Sequence, residues 1–571
     1  VLRRAASVSI SLVLAAAACT GEPGPPPGPP AGAPTVDEMA RQVGADVMTA
    51  LLRGNHQGTS TDVAFVPEPG NTVVRWSGEG LGTDAADPRT THPTPWDYHQ
   101  RVPIILYGPG HVGAGRSDRP VDVADLAPTF ARLLDFPFDA PDGEPLHESL
   151  LPAGREPPAA IVLVAYDGGG WNLLDRWPEA WPFQRRLVEG GFTYTNATIG
   201  SAPAVTSAIH ANMGTGAYPD THGVSEITAR LPDGSVGDIY FGHEADPRLL
   251  DAETVADAWD RANGNRTWNG LLGYESWHLG MMGRGAEAEG GDRDVAVLWE
   301  DEPGIGEFFV NEGLYELPDY LPGTEALQER LTALDGEDGA IDGSWRGWDL
   351  ADPKVVPATP AFVEHQGQAV LEMIRREPIG TDPLTDFLFV ELKPTDFGGH
   401  LWNMVSPEEA VVLRAQDRVL AGIVAELDRR VGPGRWVLAM TADHGQTPQP
   451  ETTGSLRIHP DLLGRNVDEY FGRTIVQQVT PSGLFLDPEA IRDAGITPTD
   501  VARFVAQYRY GDGLPADVDR SAIPEDVLET RVFAAAMPST YLAELTEEEA
   551  AALGPGDYPE GNLTRPGDVP L

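Results

Sequence analysis

Lysine is almost missing from this 571-residue chain, where Lys354 and Lys393 are the only two. Cysteine is scarcer still, with Cys19 alone, and that excludes an intramolecular disulfide framework. Positive charge is short overall. Lys and Arg number 40 against 87 Asp and Glu, a formal net charge of −47. A surface this acidic repels phosphate backbones, so no nucleic acid is expected as a partner. The N-terminal apolar stretch, residues 5–18, is too short and too rich in alanine for a membrane span.

That stretch follows Arg3 and Arg4 and ends Ala16-Ala17-Ala18-Cys19, the layout of a secretory signal peptide. It resembles a bacterial lipobox, with Ala16 where Leu is usual. The resemblance implies that residues 1–19 are a lipoprotein signal peptide and that Cys19 is lipidated. It also implies anchoring to the extracellular or periplasmic face of a bacterial membrane. Residues 20–36 are rich in Pro and Gly, a semi-rigid spacer suited to holding a domain off a membrane.

The whole chain is 41% hydrophobic, and residues 37–571 are long enough to bury a large core. Short apolar runs alternate with helical stretches, and Gly and Pro mark the joints, so the fold class is α/β. Val63–Val66 and Val102–Leu106 read as strands, and Asp125–Leu134 as a helix. Three continuous apolar runs, Ile161–Ala165, Phe387–Val390 and Trp436–Met440, suit strands of a mostly parallel sheet covered by helices on both faces. Ser406, Pro407 and Glu409 read as the capped start of a helix running to about Arg430. Residues 228–375 show no strand–helix rhythm and read as an inserted cap over the sheet.

Each of the three buried runs ends in polar residues. The first leads to Asp167-Gly168, the second to Lys393 and then Asp396 and His400, the third to Asp443-His444-Gly445. Ligands of open α/β sheets bind beyond the carboxyl ends of the strands, and Asp with neutral His suits Zn²⁺ and similar ions. One Asp-Gly or Asp-His alone would read as a turn or a cap. Three such motifs, each after a buried strand, point to a metal site. Thr206 offers a hydroxyl that becomes a nucleophile if a metal or base lowers its pKa. At a helix N-terminus it would also meet backbone N–H groups that favour phosphate.

The order of these motifs resembles the alkaline phosphatase superfamily, and within it the type I phosphodiesterase/nucleotide pyrophosphatase branch. The shared marks are Asp167-Gly168, Thr206 ahead of Thr215-Gly216, Tyr218-Pro219 and His222-Gly223, then Asp396 with His400, then Asp443-His444-Gly445. The resemblance implies phosphoester hydrolysis through a phosphothreonine intermediate with two divalent metal ions, Zn²⁺ being the expected identity. Asp167, Thr206, Asp443 and His444 would hold one ion. Asp396, His400 and one further His would hold the other. The substrate would be a small phosphate ester.

The family's further His lies late in its chains, where this sequence has only His459. Thr91-His92, Tyr98, Val102-Pro103 and Tyr107, however, resemble the family's C-terminal segment. The expectation is therefore a circular permutation, with 37–150 matching that segment and His92 as the ligand. The alternative is His459, with His92 in a loop. His210 and His222 read as supporting residues. Lys393 is a candidate for binding a phosphate oxygen, against a solvent-facing lysine paired with nearby acids. A sulfatase is disfavoured, because Thr206 lacks the Cys/Ser-x-Pro-x-Arg context. The export signal contradicts the cytosolic phosphoglycerate mutases. The alternatives are a phosphoryl or phosphoethanolamine transferase on the same fold, and a catalytically inactive surface binding module.

Overall fold

The computed structural model describes residues 27–76, 89–152, 154–286, 288, 290–300 and 307–558. The expected signal peptide, Cys19 and the first part of the spacer lie outside the described residues. Five parallel strands carry the architecture, in the order Val295–Glu300, Asn269–Leu272, Asp386–Leu392, Ala160–Tyr166, Trp436–Ala442. Arg101–Tyr107 pairs antiparallel with Trp436–Ala442 and then with Phe192–Thr198. Shorter strands extend both edges to make a ten-stranded sheet. This is the expected mostly parallel α/β sheet.

The three central strands are buried at every position, as their apolar runs require, with Asp386, Glu391 and Thr441 buried as well. Strand periodicity sends alternate side chains to two cores. Val162, Val164, Leu388, Val390, Leu438 and Met440 face one. Ile161, Leu163, Phe387, Phe389, Val437 and Ala439 face the other. Helices Pro360–Arg376 and Pro407–Arg430 cover the first face, and Leu126–Leu133 and Thr206–Thr215 cover the second. Ser406 caps its helix by accepting from the Glu409 amide at 3.3 Å. The Glu409 side chain does not close the expected capping box. It turns inward, where a Cβ on Gly398 would stand 1.9 Å from its Oε2.

Residues 228–375 are not simply a cap. Asn269–Leu272 and Val295–Glu300 are strands of the central sheet, and Pro360–Arg376 is one of its covering helices. The rhythm escapes sequence inspection because Asn269–Leu272 has four residues and includes a glycine. A second, antiparallel sheet also escapes it. Its order is Val476–Val479, Gly483–Leu486, Val63–Pro67, Phe533–Pro538. Val63–Val66 is thus a strand as read, but of this smaller sheet.

The N- and C-terminal parts of the described chain meet. Tyr541 donates to Asp37 at 3.1 Å, and the Ala45 amide donates to the Gly554 carbonyl at 2.8 Å. Segment 101–107 is integral to the sheet, with Ile104 and Ile105 fully buried in opposite cores. Ile105→Ala is therefore expected to lower unfolding stability by about 2–5 kcal/mol. Chemical denaturation checks this, and a loss below about 0.5 kcal/mol, the scale of a surface change, would mark the segment as peripheral.

Candidate metal centre

Strand register brings the site together. Tyr166 is level with Leu392 on one side and Ala442 on the other. The next residues, Asp167, Lys393 and Asp443, therefore leave the sheet side by side. Asp396 and His400 follow on the helix Pro394–Trp402. Gly168 turns the chain at φ +68°, and its amide donates to Asp443 Oδ1 at 3.0 Å. Gly445 lets another segment approach. Its amide donates to the His99 carbonyl at 3.0 Å, and a Cβ there would stand 2.0 Å from the Tyr98 carbonyl. That contact brings the loop carrying His92 against the strand ends.

Three groups of ligand atoms result, two of them built from the expected residues. Asp167, Asp443 and His444 form one, and His92, Asp396 and His400 form the other. His444 Nε2 lies 3.2 Å from Asp167 Oδ1 and 3.3 Å from Asp443 Oδ2. All three atoms are buried, yet none has a partner in hydrogen-bond geometry. Buried polar atoms are normally satisfied, so three unsatisfied ones converging on a point fit a divalent cation. In the second group His92 and His400 each place Nε2 3.2 Å from Asp396 Oδ1. Their Nδ1 atoms donate to the carbonyls of Ala204 at 2.8 Å and Thr90 at 2.5 Å. Those bonds fix the tautomer and leave each Nε2 lone pair for an ion. The His92 and His444 rings stack at 3.5 Å and join the groups.

Thr206 is the first residue of the buried helix Thr206–Thr215, and its hydroxyl donates to Asp167 Oδ2 at 3.4 Å. Lys393 is buried, not solvent-facing. Its Nζ lies 2.7 Å from Asp167 Oδ2 and 2.8 Å from Asp396 Oδ2. His459 starts the helix Pro460–Phe471 and belongs to none of the ligand groups found among the described residues. His210 Nε2 stands 3.7 Å from Asp443, and His222 bonds Asn212 at 2.8 Å.

The electrostatics are those of crowded buried charge. Burial opposes ionised Asp167, but Lys393 and His444 hold it below the usual carboxylate range. Burial likewise opposes Asp396, which His400 and Lys393 hold well below that range. Asp443 goes the other way, pushed up to about 7 by burial and by Asp167. Burial disfavours a charged His444, but Asp443 and Asp167 outweigh it and push the imidazole up to about 9. Burial and His444 push His92 down to about 4, so it stays neutral and able to ligate.

A third group, Asp167 with His278 and Glu391, lies beside the first. His278 Nδ1 is 2.9 Å from His210 Nδ1, and its Nε2 is 3.4 Å from Glu391. These two residues are absent from the sequence reading. Glu391 gives a signal, an acid inside a wholly buried strand. His278, on the short helix Ser276–Met281, gives none.

Comparison with known proteins bears on the family and the fold. The family model for type I phosphodiesterase/nucleotide pyrophosphatase matches residues 161–526. A Myroides odoratus protein named as a calcium-transporting ATPase is 24% identical over 444 residues, 66% of this chain and 79% of that one. Alkaline phosphatase PafA of Elizabethkingia meningoseptica is 24% identical over 363 residues, covering 55% of this chain and 64% of its own length. The crystal structure of wild-type alkaline phosphatase PafA superposes with a TM-score of 0.51 at 19% identity, over 61% of this chain and 76% of that chain. That structural likeness extends to the fold.

The geometry separates the two histidines. His92→Ala is expected to weaken binding at one of two sites by about 10–100-fold or more, with lost activity partly restored by excess metal. His459→Ala is expected to leave both sites intact. Metal titration with elemental analysis checks this, and the reverse pattern would exclude His92 as a ligand.

Proposed function

The chain belongs to the type I phosphodiesterase/nucleotide pyrophosphatase family, a family of phosphoester hydrolases, and from that premise we propose that it hydrolyses small phosphate esters with Thr206 as nucleophile and two divalent metal ions. One observation carries the reading. The Thr206 hydroxyl opens a buried helix and bonds one oxygen of Asp167, whose other oxygen faces His444. Asp167, Asp443 and His444, with Thr206, would hold one ion. His92, Asp396 and His400 would hold the other. Such ions supply charge stabilisation at the attacking and leaving oxygens and lower the pKa of a hydroxyl. Zn²⁺ is the identity that this donor set favours.

Thr206 Oγ attacks phosphorus in line, forming an O–P bond as the bond to the leaving oxygen breaks. The departing alkoxide takes up a proton. Water then attacks the phosphothreonine, the Oγ–P bond breaks, and the hydroxyl is restored. The first-turn N–H groups of helix Thr206–Thr215 have no carbonyl partner within the helix and favour the equatorial oxygens. Asp167 orients the hydroxyl. His210 and His222 support the site from behind. An acceptor alcohol replacing water would make the same chemistry a transferase, which product analysis with and without added alcohol distinguishes.

Two further parts of the reading concern the chain as a whole. We read it as circularly permuted, with 37–150 standing for a segment that other members carry last. The pairing of Arg101–Tyr107 with the central strand Trp436–Ala442 and the meeting of Asp37 with Tyr541 support this. We also read it as an exported lipoprotein anchored through Cys19. Among the described residues no helix is long and apolar enough to cross a membrane.

Thr206→Ala is expected to lower ester hydrolysis by several orders of magnitude while metal stays bound. Assay of the variant against phosphomonoester, phosphodiester and sulfate ester chromogens, with elemental analysis, checks both points. Undiminished turnover would refute the nucleophile assignment. Cys19→Ala is expected to move the protein from the membrane to the soluble fraction with specific activity unchanged. Fractionation that finds the variant still membrane-bound would remove the lipid anchor from the reading.

A further inference from the structure

We propose that Lys393 is a built-in counter-cation that holds Asp167 and Asp396 in ligand-ready orientation whether or not an ion is bound. The proposal rests on the two-metal reading above. Its basis is a division of oxygens. The ammonium takes Oδ2 of each carboxylate, at 2.7 Å and 2.8 Å. Oδ1 of Asp167 is left 3.2 Å from His444, and Oδ1 of Asp396 is left 3.2 Å from both His92 and His400. One lysine thus turns one oxygen of each acid toward a different ligand group. It also favours binding through a single oxygen, because the second is already engaged.

The surroundings of the ammonium fit this role better than that of a phosphate ligand. The side chain is only 3% exposed. Beyond the two carboxylates, the Phe397 and Trp277 rings lie 5.4 Å and 5.9 Å from Nζ. Both put an electron-rich face toward a cation. The ammonium donates to Asp167 Oδ2 and pairs in charge with Asp396 Oδ2, so both acids claim the same cation. Two buried carboxylates sharing one small volume repel each other strongly, and low dielectric strengthens the repulsion. A fixed cation between them removes that cost without waiting for a metal. Thr206 bonds the same Asp167 Oδ2. Lys393 is therefore a positioning residue for the hydroxyl, acting through Asp167.

The test compares thermal unfolding of the whole chain in chelator and with saturating Zn²⁺ or Mn²⁺. Lys393→Met keeps the length and removes the charge. In chelator it is expected to melt lower than wild type by about 5 °C, and added ions are expected to recover most of that loss. The metal-induced rise is then larger in the variant than in wild type. Lys393→Arg keeps the charge and is expected to retain more of the chelated stability. Equal melting of Lys393→Met and wild type in chelator, with weakened binding of inorganic phosphate, would make Lys393 a phosphate ligand and overturn the proposal. If Lys393→Met does not fold, wild type still decides. With only two lysines, ¹⁵N-lysine labelling should give one slowly exchanging ammonium signal in chelator, and two fast-exchanging amines would overturn the proposal. A wild-type chain that gains no stability from any divalent ion would instead remove the two-metal reading, while the comparison in chelator would still judge the lysine.

Discussion

Three adjacent parallel strands end at one level, and the charged residues that follow them have nowhere else to go. Tyr166, Leu392 and Ala442 are in register, so Asp167, Lys393 and Asp443 emerge together into a fully buried space. Asp396 joins them a few residues later. Three buried carboxylates in contact distance would be prohibitive without compensation, since desolvation and like-charge repulsion act in the same direction. The surrounding structure supplies that compensation. An ammonium reaches two of the acids, an imidazole lies between Asp167 and Asp443, and the Gly168 amide donates to Asp443. Glycine is required where it occurs here because the segments approach within backbone distance. A Cβ on Gly170 would stand 2.6 Å from the Gly445 Cα and 2.9 Å from its nitrogen.

The same constraint explains what the sequence made legible. A strand buried on both faces is apolar over most of its length, so Ile161–Ala165, Phe387–Val390 and Trp436–Met440 stand out, and so do the polar residues that end them. Asp167, Asp396, His400, Asp443 and His444 could be placed on one edge from that pattern alone. His92 could not. It needed a family resemblance, because no periodicity links a loop at residue 92 with a strand that ends at residue 442. The strands Asn269–Leu272 and Val295–Glu300 were lost inside a Gly- and Trp-rich stretch, where runs of four and six residues carry too little pattern to register. The antiparallel second sheet was lost for another reason. Its strands come from residues 63–67, 476–486 and 533–538, and pairing over such separations leaves no local mark.

Residues outside the ligand set therefore decide where His92 sits. The Thr91 amide donates to Thr72 Oγ1 at 3.0 Å, and strand Thr72–Val73 pairs in parallel with Arg457–Ile458. Arg457 reaches forward to the Arg89 carbonyl at 3.0 Å, while the Arg89 amide donates to the His400 carbonyl at 3.1 Å. On the other side, His99 bonds Thr447 at 2.6 Å and Thr94 at 2.7 Å. The His92 loop is thus clamped between the smaller sheet's neighbourhood and the loop after Asp443-His444. His459 lies within the first of these clamps, one residue beyond Ile458. An imidazole held at a fixed distance from Asp396 requires both clamps, because a surface loop with one attachment would let the ring swing out of reach. The two-stranded pair Thr72–Val73 and Arg457–Ile458, whose Val73 and Ile458 pack into the core of the second sheet, thus braces the His92 loop, which no central strand positions.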